Sequence, residues 1–347
     1  MNKKYGRKRR DGPTIADVAV EADVSPMTVS RVINGDARVL QATRDRVQVA
    51  ISKLGYVPNP AARNLAGARQ CRLVLLHTNP SAAYLSEFLL GSLAAARKSD
   101  AELIIEQHDD SEGPAALAAR LGAHRVDGVL LPPPLCDDRM LVASLASHRL
   151  EVTQVATGQP MSDAHAVLID DEAAAFTMTT HLLEQGHRRI GYVSGSPDQS
   201  ASLLRRRGYE RALGSFGVDI DETLIVPGDY TYRSGMEAAE RLLNLMTRPT
   251  AIFAANDDMA AAVVGVAHRL GLDVPGALSV CGFDDTAVAT TVWPELTTIR
   301  QPVSAMAYRA TTILADSVRR KHDARSITMQ RILLPFELVR RGSDAQL

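Results

Sequence analysis

The sequence predicts an α/β protein in two parts: a small three-helix head containing a helix-turn-helix, and a much larger body with parallel sheets. Two short amphipathic segments separated by a tight turn lie within the first 35 residues. From residue 72 onward, short β-branched or leucine-rich runs alternate with stretches long enough for helices. Charge divides along the same line. Residues 1–70 hold 13 Lys and Arg against 6 Asp and Glu, a net +7, whereas the remainder holds 26 against 34, a net −8. A basic head on a mildly acidic body points to a head that meets phosphate and a body that does not.

The other bounds narrow the class. At 347 residues and 46% hydrophobic content the chain is long enough for two or three units with real cores. Its three cysteines (Cys71, Cys136 and Cys281) are far apart and lack metal-ligand spacing, so neither a disulfide framework nor a zinc site is indicated. No apolar run approaches the ~20 residues of a membrane span. The basic N-terminus leads into Asp11, Gly12 and Pro13 rather than an apolar segment, so no secretory signal is expected and the expected location is the cytoplasm.

Residues 1–13 read as a basic tail: Lys3, Lys4, Arg7, Lys8, Arg9 and Arg10 lie outside any periodic segment. The head follows over 14–58. Thr14 with Asp17 three residues on is a capping-box variant, and Ile15, Val18, Ala19 and Ala22 form one apolar stripe. Ser25-Pro26 then starts a second helix as N-cap and first turn. On that helix Val29, Val32 and Ile33 share the face that packs inward, and Pro26, Met27, Ser30, Arg31 and Asn34 share the opposite one. Thr43 reads as the N-cap of a third helix that buries Val47, Ala50, Ile51 and Leu54 and stops at Gly55. Residues 59–70 read as a linker. Asn59 caps, Pro60 opens and Gly67 ends a helix of under two turns, too short to be stable alone.

The body, 71–347, gives its clearest strands at 72–76, 103–105, 128–131, 151–155, 189–193, 251–255 and 278–283, with room for a helix between most pairs. In such sheets ligands bind beyond the carboxyl ends of the strands. Asn256-Asp257-Asp258 and Asp284-Asp285 occupy such ends; amides and carboxylates there suit hydroxyl-rich ligands, although Asp257 and Asp258 read equally well as helix caps. Glycine-rich dinucleotide, P-loop and nucleophile-elbow motifs are absent from the sequence, so no cofactor and no enzymatic activity are expected.

The ordered run TIADVAVEADVSPMTVSRVING, then ISKLGYVPN and ARNLAG, resembles the DNA-binding head and hinge of the lactose/galactose repressor family. The resemblance implies that the second helix enters the major groove of double-stranded DNA. Pro26, Met27 and Arg31 would read base edges, and Thr14, Ser25, Thr28, Ser30 and Asn34 would contact the backbone. Arg31 suits guanine, whereas Pro26 and Met27 could read only by apolar contact. Leu65 matches a leucine that wedges into the minor groove, its alternative being a linker leucine packed on the body. Asp23 stands where the family usually has glycine.

Further on, EQGHRRIGYVSG, RRRGYERAL, AIFAANDDMA, SVCGFDD and PELTTIRQPV resemble the family's two-lobed regulatory body, which is similar to periplasmic sugar-binding proteins. The resemblance carries effector contacts onto Arg205, Asn256 and Asp284, an aromatic wall onto Tyr230, and facing positions onto Tyr84 and Leu85. Trp293 is expected beside the same cleft or in the core. Where the family commonly places Asp after the strand at 151–155, this chain has Ala156-Thr157-Gly158.

The leading expectation is a homodimer that binds a palindromic operator, represses a carbohydrate-utilisation operon and is released by a small sugar-like inducer. A corepressor-dependent repressor, an activator and a sugar-binding receptor without a DNA role are the alternatives; an enzyme using the acidic strand ends is more remote.

Overall fold

The computed structural model describes residues 13–33, 38–56, 71–78, 81–109 and 111–347. The basic tail, Asn34, and the linker with Asn59 and Leu65 lie outside the described residues. The chain divides into two compact units, 1–70 and 71–347.

The first unit packs α1 (Ile15–Glu21), α2 (Pro26–Ile33) and α3 (Gln41–Leu54) around Val18, Ala19, Val29, Val32, Val47 and Ala50. The capping box forms as read. The Asp17 amide donates to Thr14 Oγ1, and the Thr14 amide and hydroxyl donate to Asp17 Oδ2 at 2.7 Å. At the turn Asp23 takes the left-handed conformation (φ 49°), the role that a glycine fills at no steric cost. Ser25 caps α2 by accepting from the Thr28 amide at 3.1 Å. Thr43 is not the N-cap of the third helix. Leu40 holds that position without a side-chain cap, and its carbonyl already accepts from the Thr43 and Arg44 amides, so Thr43 sits inside the first turn. Gly55 ends the helix in the left-handed conformation (φ 60°).

The second unit is built on two six-stranded sheets. The N-terminal lobe contains β1 (Cys71–His77), β2 (Ala101–Gln107), β3 (Gly128–Leu131), β4 (Glu151–Val155), β5 (His165–Leu168) and, from far along the chain, β11 (Arg331–Leu333), in the order β11-β5-β4-β3-β1-β2 and all parallel. The C-terminal lobe contains β6 (Ile190–Ser194), β7 (Ile225–Pro227), β8 (Ala251–Ala254), β9 (Ser279–Asp284), β10 (Thr297–Arg300) and β12 (Glu337–Val339). Their order is β12-β10-β9-β8-β6-β7, with only the β12 edge antiparallel.

Both sheets have buried central strands of Val, Leu, Ile and Ala, the continuous apolar runs of a sheet covered on two faces. The helices that matter below are α4 (Ala82–Lys98), α5 (Pro114–Ala123) and α6 (Arg139–Ser147) in the N-terminal lobe. In the C-terminal lobe they are α7 (Asp171–Glu184), α8 (Ser200–Ser215), α9 (Tyr232–Leu243), α10 (Asp257–Arg269) and α11 (Ala287–Thr291). The chain passes between lobes three times, after β5, after β10 into α12 (Val303–His322), which returns to pack on the N-terminal sheet, and between β11 and β12. His187, just before β6, is buried, with Nδ1 2.9 Å from Thr250 Oγ1.

Candidate functional site

Two surfaces carry the chemistry, one in each unit. In the head, Val29 and Val32 turn inward and leave Pro26, Met27 and Arg31 exposed on the other side of α2, with Met27 64% accessible. Ser25 and Thr28 lie at the start of the same helix, and Thr14 at the start of α1. The Ser25 and Thr28 hydroxyls lie 2.9 Å apart and the Thr14 hydroxyl is held by Asp17, so these groups are already oriented by the helix starts.

In the body, a small pocket opens between the lobes. It brings together Tyr84, Arg205, Tyr230, Asn256 and Asp284, which are spread over 200 residues of sequence. Arg205, Asn256 and Asp284 come from α8, the end of β8 and the end of β9. Three of the lining positions at strand ends, Ala156 (φ 58°), Tyr230 (φ 70°) and Asp284 (φ 106°), lie in the left-handed region that side chains rarely adopt. Such backbone costs about 1–3 kcal/mol per residue and clusters at binding sites, where it aims groups inward.

Arg205 organises the floor. It is 4% exposed, donates from Nε to Asp171 Oδ1 at 2.8 Å and from Nη1 to the Ala255 carbonyl at 2.6 Å, and stacks 3.6 Å from the Phe283 ring centroid. Burial works against its charge, but the Asp171 carboxylate beside it outweighs that and keeps the guanidinium charged. Asp284 lies 3.9 Å from it, too far for a full partner. Burial therefore pushes the Asp284 carboxyl well above the usual range, Arg205 opposes the shift, and nearby carboxylates add to it. A ligand hydroxyl that donates to Asp284 would supply what the protein leaves short.

Asn256 links the wall to the floor. Its Oδ1 accepts from the Met259 amide at 3.0 Å as the cap of α10, and its Nδ2 donates to the Tyr230 carbonyl at 2.9 Å. Tyr230, its phenol pushed up to about 12 by burial, packs against Gly195, where a Cβ would lie 2.0 Å from the ring. Tyr84 Oη and Gln301 Oε1, both buried in the lining, have no hydrogen-bond partner among the described residues. They are the donor–acceptor pair most available to a ligand.

Several expected positions sit elsewhere. Leu85 is half-buried and absent from the lining, because Tyr84 takes the cleft-facing position and the next residue is 100° around the helix. Trp293 is 81% exposed, in neither the cleft nor the core, because the chain leaves α11 outward before the Leu296 amide returns to the Ala289 carbonyl. Asp257 is fully buried and accepts from the Thr286 amide at 2.8 Å and Thr298 Oγ1 at 2.7 Å, a tie between α10 and the neighbouring strands. Ala156 lines the cavity without a polar group. Ser81, Pro133, Gln199, Ala201 and Gln301 complete the lining and are absent from the sequence expectations; Gln301 follows β10 directly, so recognising that strand would have pointed to it.

Residues 14–59 match the model of the bacterial regulatory proteins, lacI family. Residues 179–343 match the periplasmic binding protein-like domain. The chain is 36% identical over 304 residues to catabolite control protein A of Priestia megaterium, covering 86% of this chain and 91% of that protein. Among solved structures it is similar to the transcriptional regulator CelR–cellobiose complex, with TM-score 0.73 and 32% identity over 95% of this chain and 99% of that one. It is also similar to the lac repressor dimer bound to operator and the anti-inducer ONPF, with TM-score 0.77 and 26% identity over 96% of this chain and 100% of that one. The chain therefore belongs to the lacI family of bacterial regulatory proteins and is a DNA-binding regulator of transcription rather than an enzyme.

Proposed function

We propose that the protein is a cytoplasmic repressor of a carbohydrate-utilisation operon, a homodimer whose two heads read a palindromic operator and whose cleft binds a sugar or sugar derivative that releases the DNA. The observation that carries this reading is the convergence of Tyr84, Arg205, Tyr230, Asn256 and Asp284 on one cavity, with aromatic walls and a polar floor suited to hydroxyls. A head with few base-reading side chains needs two-fold symmetry to gain specificity, which is the reason for a dimer on half-sites about one helical turn apart. Arg31 reads guanine, Pro26 and Met27 contact base edges apolarly, and Thr14, Ser25, Thr28, Ser30 and Asn34 position the helix on phosphates. Asn59 and Leu65, outside the described residues, are carried over as further DNA contacts, with Leu65 as the minor-groove wedge. A relative with a cellobiose complex supports a saccharide in the cleft.

Binding of the purified chain to its own promoter region and to random DNA over a range of salt concentrations tests the first half of the proposal. Specific affinity that exceeds random affinity by roughly 10³-fold or more is expected, and equal affinities would refute it. Thermal shift against a carbohydrate panel tests the second half: a hit that lowers operator affinity is the expected inducer, and one that raises it reverses the sign of regulation.

A further inference from the structure

We infer that Asp137 is a positioning residue of the effector cleft, a carboxylate of the N-terminal lobe that completes the N-terminus of α8 in the opposite lobe and so places Arg205. Asp137 ends a single helical turn (Leu135–Asp137) that follows β3. Its Oδ2 accepts from the Ser200 backbone amide at 2.8 Å, and its Oδ1 accepts from the Ser200 hydroxyl at 2.7 Å and from Thr157 Oγ1 at 2.6 Å. Ser200 Oγ in turn accepts from the Gly158 amide at 2.7 Å. Gly158 lies so close to α8 that a Cβ there would meet the Ser200 backbone at 3.1 Å.

The helix explains why this matters. Ser200 is the first residue of α8, and the residue in its N-cap position, Gln199, makes no side-chain cap. The free amides at a helix start need an acceptor, and a negative charge there is favoured. Here the acceptor comes from the other lobe. The same helix carries Arg205 less than two turns on, and Gln199 and Ala201 line the cavity. Separation of the lobes therefore uncaps α8, so the helix that bears the central cation is fully ordered only when the cleft is closed.

A second bond crosses the other edge of the cleft. Ser81, the N-cap of α4 in the N-terminal lobe, donates its hydroxyl to Asp258 Oδ2 in the first turn of α10 at 2.6 Å. Closure thus joins a carboxylate of each lobe to a helix start of the other. If both bonds report one closure equilibrium, breaking either must loosen both.

This inference rests on reading the cavity as the effector site, yet its test needs neither ligand nor DNA. Amide hydrogen exchange of the full-length chain, read over residues 200–203, is compared across variants. Asp137→Ala is expected to speed that exchange by roughly fivefold to tenfold, the scale of a lost cap. Ser200→Ala, which keeps the amide bond, should have a smaller effect. Asp258→Ala touches nothing on α8 but should still speed exchange at 200–203 at least twofold. Asp138→Ala removes the cap of α6, whose Oδ1 accepts from the Leu141 amide at 2.9 Å, and should leave 200–203 unchanged. Unchanged exchange in Asp137→Ala or in Asp258→Ala overturns the inference. Failure of specific operator binding would instead count against the proposed function and leave the exchange result standing.

Discussion

The exposed face of α2 in the head and the pocket between the lobes of the body are built on opposite principles. That face is exposed, continuous in sequence and carried by one helix whose inward residues do the packing. The cleft is buried and assembled from widely separated segments, and most of its polar side chains are bonded within the protein, Tyr84 Oη and Gln301 Oε1 excepted. A residue of the first kind can be removed at the expense of binding alone. Removing one of the second kind disturbs the fold that holds it, and four expected effects sharpen the contrast.

Arg205→Ala should have the largest effect. It leaves Asp171, which is fully buried, without its cation, and breaking such a pair costs about 3–5 kcal/mol. Urea unfolding of the body should show that loss, while the folded fraction keeps its operator preference and loses all response to the effector. A collapse of operator specificity would mean that the two surfaces are not separable.

The next expectation concerns acid. Burial pushes Asp257 up to about 7, whereas the Thr14 hydrogen bonds hold Asp17 in the head below the usual carboxylate range. The folded body therefore retains a proton on Asp257 that the unfolded chain has released, so this residue makes stability fall as pH rises from about 4 to about 7. Asp17 acts in the opposite sense, since its contribution is present above the unfolded pKa and lost as pH falls below it. Asp257→Asn should flatten the slope of body stability between pH 5 and pH 7, measured by denaturant unfolding; an unchanged slope assigns the proton elsewhere.

Arg31→Ala should cost about 1–3 kcal/mol at the operator and relax preference at one base pair, with no change in the unfolding midpoint. Thr14→Ala should be the smallest, about 1 kcal/mol in head stability from the lost cap, read as the melting of the first unit. Operator binding should weaken beyond that loss; an operator affinity that falls only as far as head stability does would remove Thr14 from the phosphate contacts.

The same contrast explains what could be read from residues alone. The head is encoded locally: Thr14 with Asp17, Ser25-Pro26 and Gly55 mark helix ends within a few residues, and the phase of Val29 and Val32 fixes which face is free. The exception is Thr43, a good capping residue displaced because Leu40 already closes the first turn. In the body, strands with a clear β-branched or leucine-rich run were legible, whereas β5, β7, β10, β11 and β12 carry only three or four residues with a weaker pattern and take their form from their neighbours. The link between Arg205 and Asp171, 34 residues apart, and that between Asp137 and Ser200, 63 apart, arise only when helices from separate segments meet. Resemblance carried Arg205, Asn256 and Asp284 to their positions; it did not identify the partners that hold them.

The interleaving of the two lobes also bears on how the protein is made. Each sheet takes its last strand from the end of the chain, β11 and β12 lying beyond residue 330. The head, by contrast, has all its described helices by residue 54. At the usual pace of synthesis the interval between the two is on the order of tens of seconds. During that time a ribosome-tethered chain holds a foldable head while the body is unfinished, so on the proposed function no effector could yet act on the nascent chain.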